Sequence, residues 1–477
     1  MNGFLTTFSN AKKYILASQS RLVGVVFASL VALTGGAYLV VSSYAATIEK
    51  ATITIGGPIN QYVAFDVGYD HTHTSHIFGN GNQAAATSAK TLLASLQAPQ
   101  NVHIMGFGVD NPNPSKGKYE FERSGLDDRI RLMAATTPEA QRIITLCTAP
   151  GWMKGTRDDN IEAAPLPKFY PDFATLSAAV ATRYDGTHKD SKGQLLPRVN
   201  NYVVWNEFKG FYLANGDFDS KSYVTFYNGV YTAVKQVRPN VKLGGPYVGM
   251  NTDAPTNDSA AYGSIAPRSK AAMAYWLKNK KGAEFITMDG GPQLKSNYLA
   301  TNGYTAGDLF TDAAKYVRGL DEHTYPGAKT LPLWWTEFYP GTSGESKNSI
   351  ATGQHAVSIT MDNIRKAGIA GVNRMLLWEP EGTASGDNPD THVSLWTNTA
   401  NAGGGKPTAF YAAAKGLHDY FPVGTQYYSF TTSNPLVVGL ASKDRAWLIV
   451  RGDKKVSVTL NGRTFTMDPY AVQFVQR

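Results

Sequence analysis

Two glutamates, Glu207 and Glu337, are the residues of this sequence best placed to do chemistry. The first stands in Tyr202-Val203-Val204-Trp205-Asn206-Glu207-Phe208-Lys209-Gly210, the second in Leu331-Pro332-Leu333-Trp334-Trp335-Thr336-Glu337-Phe338-Tyr339. An apolar run that stops at Asn-Glu or Thr-Glu predicts a strand buried on both faces, with a carboxylate where it ends. Cleavage of a glycosidic bond needs two such groups. One protonates the leaving oxygen, and the other attacks or activates water. A lone glutamate at a strand end equally suits a helix cap or a salt bridge. The repetition of Trp-x-Glu after two apolar strands favours chemistry over that bland role.

Other polar and aromatic residues gather at predicted strand ends. The first strand offers Asp66, Asp70, His71, His73 and His76, and the second Asp110 and Asn111. Pro150-Gly151-Trp152 follows the third and Asn206-Glu207 the fourth. Pro246-Tyr247 belongs to the fifth and Asp289 to the sixth. The seventh carries Glu337 and Tyr339, and the eighth Trp378-Glu379. Sugars present apolar ring faces and hydroxyl edges. Trp152, Trp378, Tyr247 and Tyr339 are therefore expected to contact substrate, together with the hydrogen-bonding groups of Asn206, Asp289, His71 and Glu379.

The elements that must carry these residues alternate regularly. Strands are expected at Tyr62–Asp66, Val102–Phe107, Arg142–Cys147, Tyr202–Trp205, Val241–Gly245, Glu284–Met288, Leu333–Thr336 and Val372–Trp378. Helices are expected at Gln83–Gln97, Gly125–Ala135, Tyr170–Tyr184, Ser222–Val237, Lys270–Lys280, Thr305–Leu320, Ser349–Lys366 and Pro407–Tyr420. Strand followed by helix, repeated in this way, predicts an α/β fold, a (β/α)8 barrel whose chemistry sits at the carboxyl ends of its strands. His323-Thr324-Tyr325 competes for the sixth strand. It lies too close to Glu337 for a crossover helix and two loops, so Glu284–Met288 is preferred. After Pro422 short alternating runs and the hairpin signal Asn461-Gly462 predict a small antiparallel β domain. Ala51–Ile55 is expected to add a strand to it. The boundaries expected are 46–60 for a linker with this short strand, 61–421 for the barrel and 422–477 for the β domain.

Composition narrows the function. The chain has 477 residues, 43% hydrophobic and 17% charged, which is globular rather than disordered. Its net charge of +8 is dispersed, with no basic run, so nucleic acid is not expected as a partner. The single cysteine, Cys147, excludes an intramolecular disulfide and lies in an apolar strand. Leu22 to Tyr44 is free of charge and long enough to span a bilayer. Residues 1–21 then form a cytoplasmic tail and 22–45 a signal peptide or membrane anchor. The chain beyond residue 45 is expected to be extracellular or at the cell surface. Asn257-Asp258-Ser259 matches a glycosylation sequon, a pattern that also arises by chance.

Trp205-Asn206-Glu207 and Trp335-Thr336-Glu337, on strands four and seven, resemble the retaining glycoside hydrolases of clan A. The run to Phe211 and the β domain after the barrel are most similar to family 39 and its relatives, over roughly residues 51–477. The resemblance implies that Glu207 is the acid/base, Glu337 the nucleophile and Asn206 a partner of the sugar 2-hydroxyl. Pro150-Gly151-Trp152-Met153 and Trp378 match aromatic positions of related families. At strand six many clan members carry His-x-Tyr, where this chain has Thr287-Met288-Asp289-Gly290. The implied partner is an oligosaccharide or polysaccharide, and no metal or organic cofactor is implied. Glu207 is expected to be protonated at rest. Two other readings compete. His71-Thr72-His73 matches the His-x-His of metal-dependent amidohydrolases, although strands five and six supply no histidine to complete that metal site. A non-catalytic carbohydrate-binding barrel would keep the aromatics and tolerate loss of either glutamate; both are present.

Overall fold

The computed structural model describes residues 48–72, 82–106, 109–250, 264–291, 303–305, 307–339, 353–378, 380–381 and 393–477. His73, His76, Glu379, the sequon and the 22–44 run lie outside them. Among the described residues no helix is long and apolar enough to cross a membrane.

Eight parallel strands close into a barrel. They are β2 (Asp66–Tyr69), β3 (Gln100–His103), β4 (Arg142–Leu146), β5 (Asn201–Val204), β6 (Lys242–Gly249), β7 (Phe285–Gly290), β8 (Leu333–Phe338) and β9 (Val372–Leu377), and they pair in chain order. Helices α1 (Gln83–Leu96), α2 (Leu126–Thr136), α3 (Tyr170–Arg183), α4 (Ser220–Val237), α5 (Pro267–Asn279), α6 (Asp308–Gly319), α7 (Gly353–Ile369) and α8 (Ala409–Tyr420) follow the strands. Local chemistry starts several of them. Asn82, Asp219 and Thr408 accept from backbone N–H groups in the first turns of α1, α4 and α8, and Pro267 opens α5. The strands read as unbroken apolar runs because both faces are covered; every residue of β5, β7 and β8 is buried. The sixth strand of the barrel is Phe285–Gly290, while His323 lies in a turn beyond α6.

The interior is filled by Ile143, Val203, Phe285, Trp334, Leu376 and Tyr247. Phe285 and Trp334 stack at 3.6 Å, and Arg374 lies 4.4 Å over the Trp334 ring. Arg374 also grips Asp66 through two hydrogen bonds of 2.9 and 2.8 Å. This corrects the place of the first strand. It begins at Asp66 rather than ending there, so Asp66 closes the floor of the barrel, and of the described candidates on this strand Asp70 and His71 reach the rim.

The remaining strands form one seven-stranded sheet, ordered β14-β13-β1-β10-β11-β12-β15. Its members are β1 (Glu49–Tyr62), β10 (Gln426–Thr432), β11 (Val437–Ala441), β12 (Arg445–Val450), β13 (Val456–Leu460), β14 (Arg463–Met467) and β15 (Val472–Gln476). The antiparallel expectation is corrected here. Strand β1 runs parallel to β13 and antiparallel to β10, making the sheet mixed. The sheet docks on α7, where Arg451 pairs with Asp362 at 2.6 Å and Ser358 donates to the Val450 carbonyl at 2.7 Å. Phe474 packs where Gly416 of α8 leaves room for it.

Candidate active site

Glu207 stands on a contorted turn. Trp205, Glu207 and Phe208 all have positive φ, at 70°, 50° and 60°. Non-glycine residues in such conformations cost about 1–3 kcal/mol each and persist only where the surroundings dictate them. Here they do. The buried Trp205 ring meets Phe173, Phe211 and Phe226 edge-on, and its Nε1 donates to the Lys209 carbonyl at 2.8 Å. Phe208 stacks on Tyr223 at 4.2 Å. Gly210, at φ 77°, passes so close to the next loop that a Cβ would lie 2.0 Å from the Ala164 backbone nitrogen. The Lys209 ammonium pairs with Glu207 Oε2 at 2.8 Å and Glu162 Oε1 at 3.2 Å. Burial alone would lower its pKa, but the two carboxylates outweigh that and raise it. The expectation of a protonated Glu207 among aromatics thus meets a cation at its side.

Glu337, on β8, is 2% exposed and surrounded by donors. Tyr339 Oη donates to Oε2 at 2.7 Å, Tyr247 Oη to Oε1 at 2.8 Å, and His71 Nε2 lies 3.4 Å from Oε1. Burial, and then the neighbouring carboxylates, push both phenols well above their ordinary range, so they remain donors. The Tyr247 hydroxyl also reaches Asp70 Oδ2 at 3.0 Å. Asp70 accepts from the His71 N–H at 2.7 Å and from Asn101 Nδ2 at 2.6 Å. Burial alone would raise Asp70, but His71, His103 and these bonds hold it below the usual carboxylate range. His103 stacks on His71 at 4.3 Å, and burial, reinforced by His71, lowers its pKa to about 4.

The two glutamates meet, and Asp289 joins them. One carboxylate oxygen from each of Glu207, Asp289 and Glu337 lies within 4.8 Å of the others. Asp289 also hydrogen-bonds Glu207, and burial, then the two glutamate charges, push its pKa well above the ordinary carboxylate range. A second group, Asp70, His71, His103 and Glu337, is equally close. Its two imidazole planes are stacked only 18° apart, so they meet too far away for one ion to lie in both. Its carboxylates are also engaged by Tyr247, Tyr339 and Asn101. The donor set fits an internal hydrogen-bond network better than a metal centre.

The remaining candidates divide. Asn206 is buried beside Glu207, its Nδ2 3.4 Å from Oε2, and its Oδ1 has no hydrogen-bond partner among the described residues. Trp378 is 40% exposed and lies 6.0 Å from Tyr339 and 6.2 Å from His71, ring to ring. It walls the rim beside Glu337. Trp152 is held differently: its Nε1 donates to the Asn113 carbonyl at 2.9 Å and its ring meets Phe169 edge-on. No described contact joins Trp152 to the carboxylates. Asn101, His103 and Lys209 are not singled out by residue type. The available signal for the first two is a pair of polar residues two positions apart, hence on one face of their strand.

The fold and the site together define a (β/α)8 barrel with a side β sheet and a rim of carboxylates and aromatics. No family model and no curated relative matches the sequence. The structural neighbours are glycoside hydrolases of families 39 and 30, within clan A. A GH39 β-xylosidase from Caulobacter crescentus superposes with a TM-score of 0.54 at 16% identity, covering 86% of this chain and 83% of that one. SrfJ from Salmonella typhimurium gives 0.55 at 13%, covering 88% and 91%. The catalytic domain of GH30 xylanase C from Talaromyces cellulolyticus gives 0.52 at 14%, covering 89% and 100%. At these identities the likeness is one of fold, and it places this chain's barrel and sheet beside those of glycosidases.

Proposed function

We propose that the protein is a retaining glycoside hydrolase that cleaves O-glycosidic bonds with two glutamates. The observation that carries this reading is the approach of Glu207 and Glu337, from β5 and β8, to within 4.8 Å, oxygen to oxygen. That spacing suits a carboxyl pair about 5–5.5 Å apart, as in a retaining site, better than the roughly 6.5–9.5 Å of an inverting one. Glu337, oriented by Tyr247, Tyr339 and His71, attacks the anomeric carbon and forms a glycosyl ester. Glu207 delivers a proton to the leaving oxygen and then takes one from the water that hydrolyses the ester. Asn206, with its open Oδ1, takes a hydroxyl next to the reacting carbon, and Trp378 offers a face to a sugar ring. The substrate class is an oligosaccharide or polysaccharide. With Leu22–Tyr44 as signal or anchor, the enzyme works outside the cytoplasm.

The test is hydrolysis of a panel of aryl glycosides by the wild type, Glu207→Ala and Glu337→Ala. With a good leaving group, Glu207→Ala should glycosylate Glu337 and stall, and azide should restore turnover with retained configuration. Glu337→Ala should lose both steps, with azide giving at most the opposite anomer. A Glu207→Ala protein that hydrolyses natural substrate at the wild-type rate would refute the assignment.

A further inference from the structure

We propose that Asp289 and Glu207 act as a proton-sharing pair, in which Asp289 stores the proton that Glu207 delivers to the leaving oxygen. This makes Asp289 a positioning residue that acts through Glu207, and the inference rests on the glycosidase reading above.

The geometry carries it. Asp289 is 1% exposed at the end of β7, hydrogen-bonded to Glu207 and within the same 4.8 Å group as Glu337. Three carboxylates so close, two of them buried and the third half-buried, do not all ionise together. The surroundings decide which one keeps the proton. Glu337 accepts from Tyr247 and Tyr339 and faces His71. Glu207 has the Lys209 ammonium at 2.8 Å. Asp289 accepts the Gly290 N–H, and the charges that act on it most strongly are those of the two glutamates. Tyr247 and Tyr339, the other titratable groups beside it, are phenols whose pKa values its own charge would raise further. The proton therefore belongs on Asp289, in line with the upward push on its pKa.

The pair also keeps the charge of the site constant. At rest Glu207 and Glu337 are ionised and Asp289 is neutral. As the glycosidic C–O bond breaks, the Asp289 proton crosses to Glu207 and a proton passes from Glu207 to the leaving oxygen. Glu337 loses its charge to the new ester bond, leaving Asp289 and Glu207 ionised. In the second step water adds to the sugar carbon and its proton goes to Glu207 and back to Asp289. The ester bond breaks and Glu337 regains its charge. The cluster holds two negative charges throughout.

The test is Asp289→Asn, which keeps the shape and removes the proton store. On a dinitrophenyl glycoside, which needs little acid assistance, kcat/KM should fall by no more than about tenfold. On a phenyl glycoside it should fall by about 100-fold or more, the size of a lost general acid. The alkaline limb of the pH profile should move to lower pH. Lys209→Met, read on the same profile, should move that limb the other way. Equal losses on both substrates with an unmoved pH profile, or a rise in KM alone, would overturn the proposal. Infrared difference spectra at neutral pH give a readout independent of turnover. The protonated-carboxyl stretch of the wild type should vanish in Asp289→Asn, and its persistence would also overturn the proposal. A wild type that cleaves no glycoside would instead refute the glycosidase reading, leaving the infrared result to decide where the proton lies.

Discussion

Acidification should destabilise this protein in part through His103, and by an amount set by that residue's surroundings. In the folded chain His103 is buried against His71 and stays neutral until about pH 4. In the unfolded chain a histidine takes its proton near pH 6.5. Between these values the unfolded state binds more protons. Stability is thus full above about pH 6.5 and is lost as pH falls towards 4. At 1.36 kcal/mol per pH unit the loss between pH 7 and pH 4 is about 3 kcal/mol. Unfolding entropy of about 2.1 cal/mol/K per residue gives roughly 0.9 kcal/mol/K for a body of this size, so the change in Tm is about 3 °C. His103→Gln keeps a polar nitrogen near Asp70 but takes no proton in this range. Calorimetry of both proteins at pH 7 and pH 4 gives the required double difference. Lost ring stacking lowers the variant's Tm equally at both pH values, whereas its pH-dependent fall should be about 3 °C smaller than that of the wild type. Falls that agree within 1 °C would refute the reasoning.

Two further perturbations separate binding from folding. Trp378 is 40% exposed, so Trp378→Ala should leave Tm almost unchanged while raising KM for a sugar substrate about tenfold, a loss of about 1.4 kcal/mol; a Tm drop with unchanged KM would make it a packing residue. Gly210→Ala forces a Cβ to within 2.0 Å of the Ala164 nitrogen at positive φ, and should cost about 2–4 kcal/mol by thermal unfolding and displace Glu207, lowering kcat. Wild-type stability and kcat in Gly210→Ala would contradict that account.

The barrel was legible because parallel strands covered on both faces write themselves as apolar runs. Glu207 and Glu337 were conspicuous as the charges that end two such runs. The first strand was misplaced for a physical reason. Val63 and Phe65 are buried and apolar, like strand residues, but they form a corner. There the Val63 N–H and carbonyl pair with Thr425 and Gly424, at 2.8 Å each, rather than with a barrel strand. The parallel partner of β1 lies in β13, and no local pattern announces a pairing so distant. Nor does any residue type announce the left-handed backbone at Trp205, Glu207 and Phe208, because tertiary packing imposes it. Lys209 was visible beside Glu207 in the sequence, yet whether it points to that carboxylate depends on the turn itself. His103 and Asn101 were hidden for another reason: their strand, Gln100–His103, is mostly polar and short, so it does not stand out as an apolar run that ends in a charge.

The position of β1 in the middle of the mixed sheet has a consequence for how the protein is made. Thr52 bonds Ser433, a residue 381 positions further along the chain. At about 5–20 residues per second of synthesis, roughly 20–75 s pass before that partner leaves the ribosome. The barrel can close only late in this interval, once β9 is made, and β1 waits with both edges unpaired and with Ala51 and Ile53, buried in the finished sheet, uncovered. A nascent chain with an orphan strand of this kind offers a template for pairing with its neighbours on a polysome. Expression at lower temperature, or with a holdase present, should then raise soluble yield more than any change in the barrel would.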